Sequence, residues 1–404
     1  MKGRKKTVIL VGDGMGDLPI AALGGRTPLE AAKTPAMDYV SIHGELSLLQ
    51  TIPEGFSPGS DVANLSLLGY RPQDIYTGRA PLEAASMGVE LGADEIAFRC
   101  NLVTLQDTGD SCKVMVDYSA GHITSDEARI LIEELHRQLG GSAVNFHPGV
   151  SYRHLCVHQG DVSGLVTVPP HDHTGDDIAV YWQAYLNSSL GKVVAEASRI
   201  LVSHPVNERR IAAGKNPANA IWLWGEGRAP VMATLQERYG ISGSLISAVD
   251  LLKGIGVYAG MRIINVPGAT GYLDTNYQGK VDAAFEALKD TDLVFVHVEA
   301  PDEAAHQGEM DSKLQAIEDF DRKIVQPVLD GLMAGKDEFR LIVAMDHFTP
   351  LATRTHDSRP VPVALFDSLH NPAGSGLTYS EKNGAQTGLI IANGQLFFER
   401  ILSV

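Results

Sequence analysis

Short apolar runs recur along the chain, and each ends on an acidic or glycine-containing turn. Thr7 to Val11 stops at Gly12-Asp13-Gly14, and Arg262 to Val266 runs into Pro267-Gly268. Asp292 to Val298 leads into Glu299-Ala300-Pro301-Asp302, and Arg340 to Ala344 leads into Met345-Asp346-His347. Unalternating runs of this length read as strands buried on both faces, and the helical patterns between them predict a parallel arrangement. The predicted class is α/β with a doubly wound sheet. Such sheets place ligands beyond the carboxyl ends of their strands, which is where Asp13, Asp302 and Asp346 fall.

The middle of the chain has a different rhythm. Ile96 to Thr104 and Lys113 to Asp117 read as two strands joined by the polar turn Asp107 to Asp110. Ser125 to Leu139 predicts a helix with Ser125 as N-cap, acids in the first turn and Gly140-Gly141 as the stop. Tyr181 to Val202 predicts one further helix, and Pro169-Pro170, Gly175 and His204-Pro205 mark loops. The pattern predicts a smaller α+β domain over residues 75–215, inserted into an α/β domain made of 1–74 and 216–404. No internal repeat or low-complexity tract is present.

A length of 404 residues with 44% hydrophobic and 20% charged residues accommodates both domains. The net charge of −16 argues against nucleic acid as a partner, because phosphate backbones require clustered positive charge. An acidic protein that handles an anionic substrate has to concentrate positive charge locally, and bound metal ions do so. The basic residues Lys2, Arg4, Lys5 and Lys6 precede an apolar stretch too short for a signal peptide, and no apolar run approaches 18 residues. The expectation is a cytoplasmic protein with no membrane partner. Cys100, Cys112 and Cys156 form no C-x-x-C pair, so buried structural thiols are expected.

Four clusters carry candidate chemistry. Asp302 and His306 stand four residues apart, which puts both on one face of a helix, and a carboxylate-imidazole pair suits Mn²⁺ or Zn²⁺. An exposed Asp-His pair at a helix N-terminus is the plainer alternative. Asp346-His347 directly follows a buried strand, with His356 in the loop beyond; a buried Asp satisfied by backbone amides is the alternative there. Gly12-x-Gly14-x-Gly16 mimics a dinucleotide fingerprint, but the spacing is not G-x-G-x-x-G. Ser60, in Ser57-Pro58-Gly59-Ser60-Asp61, precedes the apolar pattern Val62, Leu65, Leu67, Leu68 and reads as a helix N-cap. That is much the commonest role for such a serine; as a nucleophile it would need a metal to activate it, because no G-x-S-x-G elbow supplies a base.

Taken together, Val11-Gly12-Asp13-Gly14-Met15-Gly16, Gly59-Ser60-Asp61, the run Glu299 to His306, and Asp346-His347 with His356 resemble the alkaline phosphatase superfamily. Within it the chain is similar to the archaeal-type 2,3-bisphosphoglycerate-independent phosphoglycerate mutases and their bacterial relatives. The likeness extends to Arg26 to Ala32, Thr77 to Ala85, Gly121-His122 and Pro267 to Asn276. It implies an alkaline-phosphatase-like sheet and an isomerase of glycolysis and gluconeogenesis that interconverts 3-phosphoglycerate and 2-phosphoglycerate. It also implies two divalent metal ions, Mn²⁺ first, with Zn²⁺, Co²⁺ or Mg²⁺ as substitutes. Asp302, His306 and His356 would hold one ion, and Asp13, Ser60, Asp346 and His347 the other.

By the same resemblance Ser60 is the phosphorylated nucleophile and Lys253 helps to polarise it. Arg79, His122, Arg153, Asp172, Arg209 and Arg210 are candidates for binding the small phosphorylated hydroxy acid. The inserted domain would close over that substrate, in a monomer or small homo-oligomer. Val168 to Gly175 and Ile221 to Gly227 resemble a bacterial subgroup also proposed to act as homoserine kinase. A transferase acting on homoserine or another small hydroxy acid therefore stays open, although no Walker A motif is present. So does a phosphatase of the superfamily, with water as acceptor.

Overall fold

Val8 to Val11 are fully buried because the strand they form, β1 (Lys6–Gly12), lies in the interior of an eight-stranded sheet. In the computed structural model, which describes residues 5–109, 112–369 and 374–403, twelve more strands follow in chain order. These are β2 (Glu45–Leu49), β3 (Glu95–Gly109), β4 (Cys112–Asp117), β5 (Val144–Val150), β6 (Arg153–Gln159) and β7 (Ala220–Gly227). The last six are β8 (Gly243–Ile246), β9 (Arg262–Ile264), β10 (Leu293–Val298), β11 (Phe339–Ala344), β12 (Val361–Asp367) and β13 (Ile390–Ile391). The residues separate into two compact units, one reaching Tyr76 and resuming at Val231, the other running from Thr77 to Pro230.

The first unit holds the sheet β13-β2-β12-β11-β1-β10-β8-β9. β1 pairs in parallel with β10 on one side and β11 on the other, placing Val11 beside His297 and Ala344. β8 and β9 extend the parallel set, and β12 runs antiparallel to both of its neighbours. The chain therefore winds outward from β1 in both directions, as a doubly wound α/β sheet does, and a crevice opens at this switch point. β9 ends at Ile264 rather than Val266, because its ladder partner, β8, is four residues long.

Two loops at the switch point are tied together by one buried cation. Lys313, on helix Met310–Phe320, is fully buried, and its Nζ donates to Gly16 O at 3.1 Å, Thr349 O at 2.9 Å and Asp17 Oδ2 at 2.9 Å. An ammonium has three donors, and all three are used. Asp17 Oδ2 also accepts from Leu351 N at 3.1 Å, while Asp17 N donates to Glu381 Oε1 at 3.2 Å. Burial pushes the Glu381 carboxyl up to about 7.

The second unit is built on β3, whose two halves serve different partners. Residues 95–101 pair with β6 and 97–103 with β7, whereas 104–109 pair with β4. Phe98, Cys100 and Leu102 form a core with Leu131, Ile132 and Leu135 of helix Ser125–Leu139 and Val194, Ala197 and Leu201 of helix Gly191–Val202.

Several expectations shift in this unit. The first strand runs on to Gly109, and Asp110 of the predicted turn lies outside the described residues. The cap of helix Ser125–Leu139 is Thr124, which accepts from Glu127 N, while the Ser125 hydroxyl accepts from Ser151 N at 3.0 Å. The single helix predicted over Tyr181 to Val202 is two, Ala179–Leu186 and Gly191–Val202, because the Ser188 hydroxyl bonds Tyr185 O and Leu190 N and turns the chain between them. The unit extends beyond residue 215 because β7 completes its sheet. Cys100 and Cys156 are buried free thiols; the side chain of Cys112 lies outside the described residues. Among the described residues no helix is long and apolar enough to cross a membrane.

Lys313→Met removes the partner of a buried carboxylate and the tie between two loops. It is expected to destabilise the protein by about 3–5 kcal/mol, read from chemical denaturation.

Candidate metal centre

The predicted ligand groups meet because the strands that carry them are neighbours. β10, β1 and β11 lie side by side and parallel, so Asp13 after β1, helix Ala300–Gln307 after β10 and Asp346-His347 after β11 emerge at one edge. On that helix His306 Nε2 lies 3.1 Å from Asp302 Oδ2, as a four-residue spacing allows. The loop beyond β11 brings His356 Nε2 to 3.0 Å from His306 Nε2 and 3.6 Å from Asp302 Oδ2. His347 Nε2 stands 3.3 Å from Asp13 Oδ1, 3.6 Å from Asp346 Oδ2 and 3.1 Å from Ser60 Oγ. All seven residues are thus brought together. Donor atoms of Asp302, His347 and His356 lie within 4.8 Å of one another, as do those of Asp13, Asp346 and His347, so His347 belongs to both groups.

Ser60 is the first residue of helix Ser60–Leu67, and the N-cap is Gly59. The N-cap reading of Ser60 is therefore off by one position, and its hydroxyl turns to His347. A Cβ on Gly59 would lie 2.7 Å from Asp61 Oδ1, so the glycine makes room for that carboxylate. One turn along, Asn64 Nδ2 donates to Ser60 O at 2.8 Å and to Asp346 Oδ2 at 2.9 Å, which pins the helix to the loop after β11.

Hydrogen bonds orient the imidazoles. His306 Nδ1 lies 2.9 Å from Arg354 O, a group that only accepts, so Nδ1 carries a proton and Nε2 faces Asp302. Thr349 Oγ1 donates to Asp302 Oδ1 at 2.5 Å and so receives the proton of His347 Nδ1 at 3.2 Å. This leaves the His347 Nε2 lone pair toward Asp13 and Ser60.

Burial, together with Asp346, Asp302 and Glu299, pushes Asp13 well above the usual carboxylate range. Burial also lowers His347 and takes His297 down to about 4. Although burial opposes it, the nearby His306 and His356 imidazoles hold Asp302 well below the ordinary range, and Asp302 in turn raises His306 to about 9. A proton on His306 Nε2 and a cation compete for the same position.

The residues fit divalent cations. Asp13 Oδ1 and His297 Nε2 are buried without a hydrogen-bond partner, although a nitrogen or oxygen lies 3.1–3.3 Å from each. Close approach without hydrogen-bond geometry is what donors show when they are arranged around an ion. A set of carboxylates and imidazoles without thiolate suits Mn²⁺, Zn²⁺ and related ions. The same crowding explains the glycines after β1. Gly14 has φ 59, and a Cβ there would lie 2.3 Å from Asp302 Oδ1; a Cβ on Gly16 would lie 2.6 Å from the Phe348 ring. These glycines admit side chains, not a dinucleotide.

Four supporting residues escape sequence reasoning: Asn64, Thr349, Lys313 and His297. His297 has the clearest signal, a lone histidine in the apolar strand Leu293–Val298; it is fully buried, with Nε2 3.1 Å from Asp13 Oδ2. Lys253, by contrast, has its Nζ on Asp250 Oδ1 at 3.1 Å and makes no contact with Ser60, although helix Asp250–Tyr258 packs against helix Ser60–Leu67.

In the second unit Arg79, His122, Arg153 and Asp172 belong to one connected patch. Arg99 stacks 3.9 Å from the Trp224 ring centroid and bonds Glu83 at 3.0 Å, and Glu83 also pairs with Arg79 at 3.3 Å. The rings continue from Trp224 to His171 at 5.6 Å and from there to Tyr118 at 6.0 Å. Tyr118 in turn lies 5.5 Å from Tyr152 and 6.4 Å from His122. Arg153 stands 5.8 Å from the Tyr152 ring, and Asp172 is 3.6 Å from His171. Ala120, Gly121 and His122 are all left-handed, with φ of 49, 68 and 48, a costly turn. Asp117 braces it by accepting from Ser119 N at 2.8 Å and Gly121 N at 2.7 Å.

Two predicted substrate residues are not in the patch. Arg210 is buried and spends its guanidinium on Asn216 O, Glu127 and Ala120 O, which makes it a support of that same turn. Arg209 is exposed, in the last turn of helix Pro205–Ala212.

A family model described as 2,3-bisphosphoglycerate-independent phosphoglycerate mutase matches residues 42–207. A relative of that name from Methanosarcina acetivorans is 54% identical over 95% of this chain and 96% of its own length. Another from Methanothrix thermoacetophila is 50% identical over 92% and 91%. A solved Pyrococcus horikoshii protein matches with a TM-score of 0.81 and 28% identity, covering 99% of this chain and 97% of its own. The cofactor-independent phosphoglycerate mutase of Thermoplasma acidophilum matches with a TM-score of 0.65 and 26% identity over 99% and 100%.

Gly14→Ala forces a side chain against Asp302 and Thr349 at a left-handed position. It is expected to lower Mn²⁺ affinity by roughly 10- to 100-fold in titration calorimetry, with the far-ultraviolet circular dichroism retained.

Proposed function

The chain belongs to the 2,3-bisphosphoglycerate-independent phosphoglycerate mutase family, and from that premise we propose that it interconverts 3-phosphoglycerate and 2-phosphoglycerate by lodging the phosphoryl group on Ser60. The observation that carries the role of Ser60 is its hydroxyl, 3.1 Å from His347 Nε2 at the start of a helix and beside the carboxylate-imidazole cluster. A helix N-terminus favours the negative charge of a phosphoryl group.

Asp302, His306 and His356 would hold one divalent ion and Asp13, Asp346 and His347, with Ser60, a second; Mn²⁺ is the ion we assign first. Such ions, when bound, supply positive charge to phosphoryl oxygens and lower the pKa of a nearby hydroxyl. Ser60 Oγ attacks phosphorus, the bond to the substrate oxygen breaks, and the phosphoryl group rests on the serine. Glycerate stays, and its other hydroxyl takes the group back.

The chain's own residues serve this exchange in distinct ways. Asn64 fixes the backbone of Ser60 against Asp346, so the attacking oxygen is held in one place. Thr349 fixes the tautomer of His347 and the rotamer of Asp302 together. Lys253 contributes its charge from the helix packed against that of Ser60. In the second unit, Arg79, His122, Arg153 and Asp172 are assigned to the organic part of the substrate, whose retention distinguishes a mutase from a phosphatase.

The test is incubation with Mn²⁺ and 3-phosphoglycerate, without bisphosphoglycerate, followed by phosphorus NMR. The native protein is expected to form 2-phosphoglycerate; free phosphate alone would point to a phosphatase, and ATP-dependent phosphohomoserine without isomerisation to a kinase. Ser60→Ala is expected to lose roughly 10³-fold or more of the turnover. An active Ser60→Ala protein rules out the phosphoserine route. Exhaustive chelation is expected to abolish the reaction and added Mn²⁺ to restore it, whereas full activity after chelation would refute the metal assignment.

A further inference from the structure

His297 interrupts β10, whose other residues, Leu293 to Val296 and Val298, are apolar and buried. A fully buried imidazole in such a strand has to find a partner for each ring nitrogen. Its surroundings supply them from two sides.

The backbone and one face of the ring are braced within the same unit. Lys280, fully buried on helix Tyr277–Leu288, donates from Nζ to His297 O at 2.9 Å. Ser247, the residue after β8, accepts from Val249 N at 3.0 Å and has its Oγ 3.5 Å from His297 Nδ1. The hydroxyl proton meets no other acceptor among the described residues, so it goes to Nδ1 and the ring's own proton sits on Nε2. Burial, with Lys280 beside the strand, keeps the imidazole neutral.

That N–H faces Asp13. β1 and β10 run in parallel with Val11 beside His297, and Asp13 N donates to Val298 O at 2.9 Å. Asp13 Oδ2 thereby comes to 3.1 Å from His297 Nε2, whereas Oδ1 is the oxygen 3.3 Å from His347 Nε2. Among the described residues His297 belongs to neither of the two donor groups, so its nitrogen meets Asp13 from outside the ligand set. His297 Nε2 and Asp13 Oδ1 are both buried without an aligned hydrogen-bond partner. The torsion that turns a carboxylate is broad, and one rotation of Asp13 satisfies the N–H with Oδ2 while presenting Oδ1 to a cation.

We propose that His297 is a positioning residue of the metal centre: it holds Oδ2 of Asp13, leaves Oδ1 as the single oxygen offered to the ion, and so favours Mn²⁺ over Ca²⁺. Ca²⁺ takes about six to eight oxygen ligands and draws on carboxylates through both oxygens, whereas Mn²⁺ and Zn²⁺ accept imidazole and fewer donors. An aspartate with one oxygen committed serves the second kind of ion. The proposal rests on the metal assignment above, and it adds a residue that binds no ion itself.

The test is titration calorimetry of the metal-free full chain with Mn²⁺, with Ca²⁺ affinity read from its displacement of Mn²⁺. His297→Leu is expected to weaken Mn²⁺ binding by roughly tenfold or more, while Ca²⁺ binding stays within about twofold. His297→Gln, whose amide can still donate to Oδ2, is expected to keep Mn²⁺ affinity within about threefold of the native value. No loss of Mn²⁺ affinity in His297→Leu, or a loss for Ca²⁺ as large, overturns the proposal, as does a His297→Gln protein as weak as His297→Leu. If His297→Leu does not fold, Ser247→Ala decides. Without that hydroxyl the ring proton is free to move to Nδ1, and the preference for Mn²⁺ over Ca²⁺ is expected to fall by about threefold; an unchanged preference overturns the proposal. A native protein that binds no Mn²⁺ counts against the metal assignment. A native protein that binds Mn²⁺ no better than its His297→Leu form counts against His297 alone.

Discussion

A single ammonium group, that of Lys313, holds in place the two loops on which most of the acidic cluster stands. It binds the carbonyl of Gly16, three residues after Asp13, and the carbonyl of Thr349, two residues after His347. Thr349 then orients His347 and Asp302 through one hydroxyl. The ammonium also adds a positive charge close to acids that would otherwise repel one another, and Asp302 and Asp17 both support its charged form against burial. Geometry and electrostatics at the switch point therefore share one origin, and neither survives the loss of that side chain unchanged.

The two units solve opposite electrostatic problems. In the first, burial and the neighbouring carboxylates drive Asp13 towards its neutral form, which a cation relieves. In the second, Arg79 and Arg153 act on the buried Arg99 guanidinium, which Glu83 supports. The first unit is thus a half-satisfied arrangement of carboxylates and imidazoles that a cation completes. A backbone device serves the first case: left-handed Gly14 lets Asp302 approach β1.

Much of the sheet is legible in the sequence because β1, β10 and β11 are buried on both faces and so read as unbroken apolar runs. Asp13, Asp302 and Asp346 are legible for the same reason, being polar residues placed where such runs stop. The supporting residues are not. Lys313 lies on a helix with exposed neighbours, where a lysine reads as a surface residue, and its partners are 36 and 297 positions away. Asn64 bonds Asp346 across 282 positions, which no local pattern announces. Arg99 sits in a strand beside residues whose apolar alternation is clear, and the ring it stacks on, Trp224, lies on another strand. The break at Ser188 is set by a side-chain hydroxyl closing on its own backbone, a choice that helix periodicity does not record.

The placement of β1 also dictates an order of events during synthesis. Its two neighbours are residues 293–298 and 339–344, so β1 has no ladder partner until residue 293 and those after it have been made. All the strand partners of the second unit lie between residues 95 and 227, and that unit closes its own sheet while β1 is still alone. Until then the apolar β1 segment lacks its sheet partners, the kind of exposed apolar surface that chaperones bind. The same delay keeps the acidic cluster unassembled until His356 has emerged, so no premature fragment of the chain presents a finished cation site.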